Sequence, residues 1–390
     1  RMMLRPASPF MLAALALATA TATTTTTTTT IPAMNATAAT TMTTTWDLTT
    51  GTLLRDGEPV SLRGLCISCL EYTCGDNDDP DCSQLLLSRD VPIIKDLLLA
   101  DAASSSTVPT VRISLTAEYW LGSSCWLQGM SYADYVDAVT TSFTDAGIVT
   151  ILDLHWNLRE TTQTSYALDV NTIEFWEAVA EKYASNDLVM YELYNEPFLG
   201  YFEQDSANPH YDPSYDVYTY FKEGGATGRL NDGVGGDAGY QTVGADAMLT
   251  AVRSKDADGV VVLSGPEGWA WEYEHLAQYA ADSPDLLHNV MFSLHPYMGP
   301  WQNCDPAFDK SPEGLAVAID ALQAAGHPVI LTELGQYCCP DPANMGIDTG
   351  VCSDGASAVG ADYDGFHDGV AMSYNSAVLA VAQSKSVSWT

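Results

Sequence analysis

Short, continuous apolar runs recur along this chain at residues 60–68, 110–115, 149–154, 188–193, 259–263, 289–294, 328–331 and 386–389. Each gives way to polar or aromatic residues. Runs without alternation suit strands of a parallel sheet that is covered on both faces. Between them lie helical patterns. One covers 91–99, and Tyr132, Tyr135, Val136, Val139 and Phe143 keep the spacing of a single helix face. Asn171 is placed to cap a helix carrying Ile173, Trp176, Val179 and Ala180. Ser311-Pro312 reads as a cap followed by the first helical residue, with Gly326 closing that helix. Eight strands alternating with helices predict an α/β protein, a (β/α)8 barrel spanning 46–390. A doubly wound open sheet is the alternative, and no G-x-G-x-x-G follows the first strand to support it.

Two features depart from that rhythm. Residues 198–240 form a long insertion after the fourth strand, rich in Tyr, Gly and Asp. A loop of that length is expected to be functional, and its position puts it beside the catalytic face of a barrel. There it would flank the cleft, carrying Tyr201, Tyr211, Tyr215 and Tyr218. The second is the eighth run, which supplies only the start of a strand before Thr390. A barrel cut short there is expected to leave strands one and seven with unpaired backbone groups and weak stability. An incomplete gene product is the reading that also suits the opening Arg1, with Met2 or Met3 as the natural start.

The N-terminal composition changes the picture of where the chain works. Arg1 and Arg5 flank an apolar run at 10–18, and Ala18-Thr19-Ala20 offers a cleavage site, so residues 1–20 read as a signal peptide. Residues 21–45 are almost only Thr and Ala, which cannot bury a core and predict a disordered linker. Asn35-Ala36-Thr37 is a glycosylation sequon within it. Nine cysteines suit the oxidising, extracellular compartment of a secreted protein. Cys74 and Cys82 bracket the acidic stretch 75–81 and are placed to close it, while Cys338, Cys339 and Cys352 allow one local bridge. The acidic stretch lacks the glycine and distal glutamate of a calcium loop and reads as solvated.

Charge then excludes whole classes of partner. Against 50 Asp+Glu stand only 15 Lys+Arg, a net charge of −35. Nucleic acid needs a basic footprint, and an anionic membrane surface repels such a chain, so neither is an expected partner. The 46% hydrophobic content still provides a core.

Candidate chemistry collects where the strands end, which is where barrels of this kind hold their active sites. The second strand delivers Arg112, the third His155 and Trp156, and the fourth Asn195 and Glu196. The sixth delivers His295 and Tyr297, and the seventh Glu333. Two carboxylates facing each other across a barrel mouth suit glycoside cleavage. One protonates the leaving oxygen, and the other attacks or activates water. No H-E-x-x-H supports a metal site, and no G-x-S-x-G supports an esterase.

Leu193-Tyr194-Asn195-Glu196-Pro197 resembles the Asn-Glu-Pro strand of glycoside hydrolase family 5, the cellulase family, and Thr332-Glu333-Leu334-Gly335 resembles its nucleophile strand. Val111-Arg112-Ile113, Asp153-Leu154-His155-Trp156 and Leu294-His295-Pro296-Tyr297 match its other motifs in the same order. The resemblance implies a secreted, retaining endo-β-1,4-glucanase without cofactor or metal, acting as a monomer on polysaccharide. It implies Glu196 as the general acid/base and Glu333 as the nucleophile. Their carboxyls would then lie about 5–5.5 Å apart. Arg112 and Tyr297 would hold Glu333 ionised, Asn195 would bind the sugar 2-hydroxyl, and His155 and His295 would line the cleaved-sugar subsite. Trp269 and Trp301 are the preferred sugar platforms, with Trp120, Trp126 and Trp271 as further candidates, whereas Trp176 reads as core. A β-mannanase, another β-glucanase, a transglycosylase and a catalytically inactive carbohydrate-binding barrel are the alternative readings.

Overall fold

The computed structural model describes residues 44–48, 51–71, 74, 86–105, 107–156, 170–197, 216–228, 240–266, 270–298, 311–336, 366–367, 370–371 and 374–390. The signal peptide and nearly all of the linker, the 75–81 stretch, Cys82, Trp269, Trp301, Tyr201, Tyr211, Tyr215 and the three late cysteines lie outside them.

Eight strands close a barrel: β1 (Leu62–Ile67), β2 (Val108–Thr116), β3 (Val149–Trp156), β4 (Val189–Glu192), β5 (Val260–Ser264), β6 (Val290–Leu294), β7 (Val329–Leu331) and β8 (Ser388–Trp389). Each pairs in parallel with its sequence neighbours, and β8 returns to β1. Among the described residues, one main helix lies in each crossover: α1 (Val91–Ser104), α2 (Tyr132–Thr144), α3 (Val170–Tyr183), α4 (Ala245–Lys255), α5 (Tyr273–Asp282), α6 (Pro312–Ala324) and α7 (Tyr374–Ser384). The continuous apolar strands thus have the two-sided burial they predict, one face on the helices and one inside the barrel.

The open barrel expected from the short eighth run is corrected. Two residues suffice: Ser388 pairs with Ile330, and Trp389 pairs with both Leu331 and Arg63. The Ser388 hydroxyl also accepts the Leu62 amide at 2.9 Å, and the Arg63 guanidinium lies over the Trp389 ring. Strands one and seven are therefore joined through β8, at Arg63 on one side and at Ile330 and Leu331 on the other.

Helix ends follow local chemistry. Ser311 accepts the Gly314 amide at 3.1 Å with Pro312 at the first helical position, and Gly326 follows with φ 96°. Asn171 does not cap α3, which begins one residue earlier at Val170. Helix α1 runs to Ser104, five residues beyond its apolar pattern, through Ala-rich sequence that favours helix intrinsically.

The base of the barrel is sealed by a small antiparallel sheet of Trp46–Asp47, Leu54–Arg55 and Glu58–Pro59, which the strand–helix rhythm does not announce. Its turn sits at Asp56-Gly57, with φ of 54° and 83°, a tight hairpin that Asp-Gly favours. Leu48 and Leu53 from this sheet join Leu62, Ile151, Met190, Val262, Met291 and Ile330 in one apolar cluster that fills the lower barrel.

Of the insertion, helix Val217–Glu223 and the hairpin of Gly224–Gly228 with Tyr240–Val243 are described and pack against the outer helices, while residues 198–215 and 229–239 lie outside the described residues. Tyr218 stacks on His275 and donates to Asp282 of α5, Lys222 reaches Asp246 of α4 at 2.6 Å, and Phe221 packs on Tyr279. Cys74 pairs with Cys125, in place of the expected Cys82, and so ties the loop after β1 to the loop after β2.

Candidate active site

Side chains alternate in and out along each strand, and above the apolar cluster the inward positions turn polar. Ile151 belongs to the apolar floor, and two residues on, Asp153 faces the same interior. By the same alternation Met190 is followed by Glu192, and Met291 by Ser293 and then His295. Ile330 is followed by Thr332.

Arg112 of β2 is the hub, and its side chain is fully buried. Its Nε donates to Glu192 at 2.5 Å, Nη1 to Glu333 at 2.7 Å, and Nη2 to Asn195 Oδ1 at 2.7 Å and to Asp153 at 3.0 Å. Burial opposes the guanidinium charge, but Asp153 and Glu192 outweigh it and hold Arg112 charged. The planar fork suits this task, because several acceptors are served in one plane.

Glu333 receives a second bond from the Tyr297 hydroxyl at 2.9 Å. Burial raises its carboxyl, yet the positive field of His295, Arg112 and His155 prevails and lowers it to about 2. Gly335 makes room for this arrangement, since a Cβ there would meet the Tyr297 ring at 2.5 Å. Thus the glycine of Glu-Leu-Gly admits the phenol that reaches the glutamate.

Opposite stands Glu196, four residues past the end of β4 at Glu192. His295 Nδ1 lies 2.9 Å from its Oε1 and 3.9 Å from Glu333 Oε2. One oxygen of each carboxylate and one His295 nitrogen all fall within 4.8 Å of one another. Both glutamates keep 18% of the side chain exposed, while Arg112, Asp153 and Glu192 have none. The two acids are therefore the carboxylates of the cluster open to solvent, and the buried network beneath holds them in place.

His155 bonds Asp153 through Nδ1 at 2.7 Å, with Nε2 3.4 Å from the Asn195 amide nitrogen. Burial opposes a charge on the ring, but the Asp153 carboxylate raises it to about 9. The imidazolium then adds positive charge beside Asn195. Trp156 stands edge-on to His155, with 5.5 Å between ring centroids, at the rim of the cluster.

Of the sequence-derived site residues, Glu196, Glu333, Arg112, His155, Asn195, His295 and Tyr297 meet in one cluster, with Trp156 beside it. The tryptophans divide differently. Trp120 is 9% exposed and packs on Phe175, and Trp271 is buried at 2%, so neither is a sugar platform. Trp126 is 55% exposed on an outer hairpin, its indole bonded to the Ser123 carbonyl. Trp176 is core as expected, donating to the Leu193 carbonyl at 3.0 Å. Glu192, Asp153, Thr332, Ser293 and Cys66 are the members that motif reading leaves unassigned. Cys66 Sγ lies 3.5 Å from Arg112 Nη1, and burial among carboxylates pushes its thiol up to about 12, so it is no thiolate nucleophile. Period-two counting back from Glu196 and His155 was the available signal for Glu192 and Asp153.

The fold and this paired-carboxylate centre define a barrel glycoside hydrolase. The family model described as cellulase, glycosyl hydrolase family 5, matches residues 95–363. The chain belongs to that family. Among solved structures it is similar to the cellulase Cel5C_n, at 18% identity over 88% of this chain and 79% of that one, with a TM-score of 0.50. A hyperthermophilic endocellulase from the archaeon Pyrococcus horikoshii matches at 17% identity over 75% and 81%, also with a TM-score of 0.50. The catalytic domain of Thermobifida fusca endoglucanase Cel5A matches at 17% over 88% and 83%, with a TM-score of 0.49. No curated protein compared with the chain matches it.

Proposed function

We propose that the protein is a secreted, retaining endo-β-1,4-glucanase. The observation that carries the reading is the pair Glu196 and Glu333, with carboxylate oxygens within 4.8 Å across His295. Retaining glycosidases hold their carboxyls about 5–5.5 Å apart, whereas inverting ones need about 6.5–9.5 Å for an intervening water. Glu333, bound by Arg112 and Tyr297 and kept ionised, suits attack on the anomeric carbon. Glu196 suits protonation of the departing oxygen, and then removal of a proton from the water that releases the glycosyl group. Asn195, fixed by Arg112 through Oδ1, leaves its NH2 for the sugar 2-hydroxyl. The glucan assignment is supported by the family's description as cellulase. Secretion is supported by the basic–apolar–small pattern at residues 1–20.

The test is hydrolysis of carboxymethyl cellulose, mixed-linkage glucan, mannan and xylan by the purified protein, with NMR of the first-formed anomer on a soluble cello-oligosaccharide. Preference for the β-1,4-glucan and a β product are expected. An α product, or mannan cleaved far better than glucan, would refute the reading.

A further inference from the structure

The loop that follows β2 carries a large side chain that the reactive centre leaves unused. Among the described tryptophans, Trp126 is the exposed one, at 55%. Its neighbours on either side, Cys125 and Leu127, are buried. Alternation along a short strand therefore turns the indole outward while its neighbours anchor the backbone.

The ring is held in place. Trp126–Leu127 pairs with Met130–Ser131 in a hairpin whose turn residues, Gln128 and Gly129, have φ of 51° and 78°. Two consecutive positive φ values mark the tight turn that matches strand twist. The Trp126 indole N–H donates to the Ser123 carbonyl at 3.0 Å. The Cys125 carbonyl accepts the Tyr132 amide at 3.1 Å, and Ser131 caps α2 by accepting the Asp134 amide at 3.2 Å. Cys125 is also bonded to Cys74 of the loop after β1.

A single exposed apolar residue is ordinary on any surface. The surroundings set this one apart. From Tyr119 to Ala133 no residue is charged, in a chain with 50 acids and 15 bases. Gly122, Ser123, Ser124, Gln128 and Gly129 stand exposed around the ring, and all are small or uncharged. The hairpin lies between the end of β2 and the start of α2, which puts it on the face of the barrel that carries the reactive pair. Among the described residues, its indole bond and its strand pairing stay within its own loop.

This chemistry selects a partner. The C–H face of a pyranose stacks on an indole, and sugar hydroxyls pair with serine hydroxyls and a carboxamide. A neutral sugar chain meets no repulsion from a protein of net charge −35, whereas an acidic polymer does and a basic one would settle on the acidic surface elsewhere. A protein partner needs on the order of 1,000 Å² of matched surface with several anchors, and this hairpin offers one ring among glycines and serines.

We propose that Trp126 and the uncharged hairpin around it form a second binding surface, outside the cleft, for a neutral polysaccharide. It holds the enzyme on the polymer while the reactive pair works. The bridge to Cys74 ties this anchor to the rim of the barrel, so the two move together. The identity of the polymer rests on the glucanase reading, and the existence of the surface does not.

The test is depletion binding to insoluble cellulose, mannan and xylan by the catalytically silent Glu333→Ala protein, with and without Trp126→Ala. Loss of the ring is expected to weaken retention on the preferred polymer about five- to tenfold, the contribution of one stacked ring. Trp126→Phe drops the Ser123 bond and keeps a ring, and it should stay within about threefold of the parent. In the active protein, Trp126→Ala should lower the ratio of activity on insoluble polymer to activity on a soluble aryl glycoside of the same sugar by about fivefold. Unchanged retention would overturn the proposal. Equal losses on polymer and aryl glycoside would overturn it too, by placing Trp126 in the cleft or in the fold, as would a Phe variant as weak as the Ala variant. If mannan or xylan is the polymer retained through the ring, the glucanase reading fails and the surface stands. If cellulose is retained without help from the ring, the surface fails and the glucanase reading stands.

Discussion

Ile151 and Asp153 lie two residues apart on β3 and face the same barrel interior, yet they belong to opposite kinds of environment. Below, Leu62, Ile151, Met190, Val262, Met291 and Ile330 pack against Leu48 and Leu53 of the basal sheet. Above, Arg112 bridges Asp153, Glu192, Asn195 and Glu333. The floor gains stability from apolar burial and tolerates changes that conserve volume. The upper layer holds several ionisable groups out of water, at a desolvation cost that only full pairing offsets. The floor therefore makes the barrel stand, and the upper layer makes it react. Mutations in the two halves should separate along those lines.

The largest effect is expected at the reactive pair. Glu333→Ala should lower kcat/KM by roughly 10⁴-fold or more, and Glu196→Ala by about 10²–10⁴-fold on an unactivated substrate, with melting temperatures nearly unchanged. Melting that collapses along with activity would blur the division between the two halves. Next comes the hub. Arg112→Met strands Asp153, Glu192 and Glu333 without their countercharge and should cost about 3–5 kcal/mol. That predicts activity and stability lost together, measured by urea unfolding beside the kinetics. A variant as stable as the parent would show that the upper layer is not held by charge pairing.

Ile151→Ala tests the other half. A cavity in the floor should cost about 2–4 kcal/mol in urea unfolding while kcat on the folded fraction stays within about twofold. The pH response is smaller and directional. The ring of His155 is raised from its ordinary 6.5 to about 9, so its contribution is complete below the lower value and is lost as pH rises through the upper one. Relative to His155→Gln, the parent should lose up to about 3 kcal/mol between these limits, read from unfolding curves at stepped pH. Glu333 is lowered from 4.5 to about 2, so its contribution is complete above the first value and fades only in strong acid as pH falls through the second.

The barrel was legible because two-sided burial writes long apolar runs, and seven site residues were legible because strand ends are marked by a change from apolar to polar. The seal at the base was not, since its two-residue strands are too short for any period to show. Glu192 and Asp153 were hidden inside otherwise apolar strands, where only alternation separates a core position from an interior charge. Trp120 and Trp271 misled because a tryptophan near a strand end looks the same whether it turns to the cleft or to the helices. The Cys74–Cys125 bridge spans 51 residues, and spacing favours the nearer partner.

The seam at β8 also governs how the chain reaches this shape. Leu62 meets Ser388 across a sequence separation of 326 residues, whereas every other barrel strand pairs with the next one along. Joining such distant points in a free chain costs about 5 kcal/mol in loop-closure entropy. A sheet that grows strand by strand and curls as it twists removes most of that cost before its two edges meet. Ring closure is then the slow, late event of folding, a contact of very high sequence separation made by two residues. Until it forms, β1 presents a bare edge, and the order of assembly, more than the final stability, sets how long that edge is open to other chains.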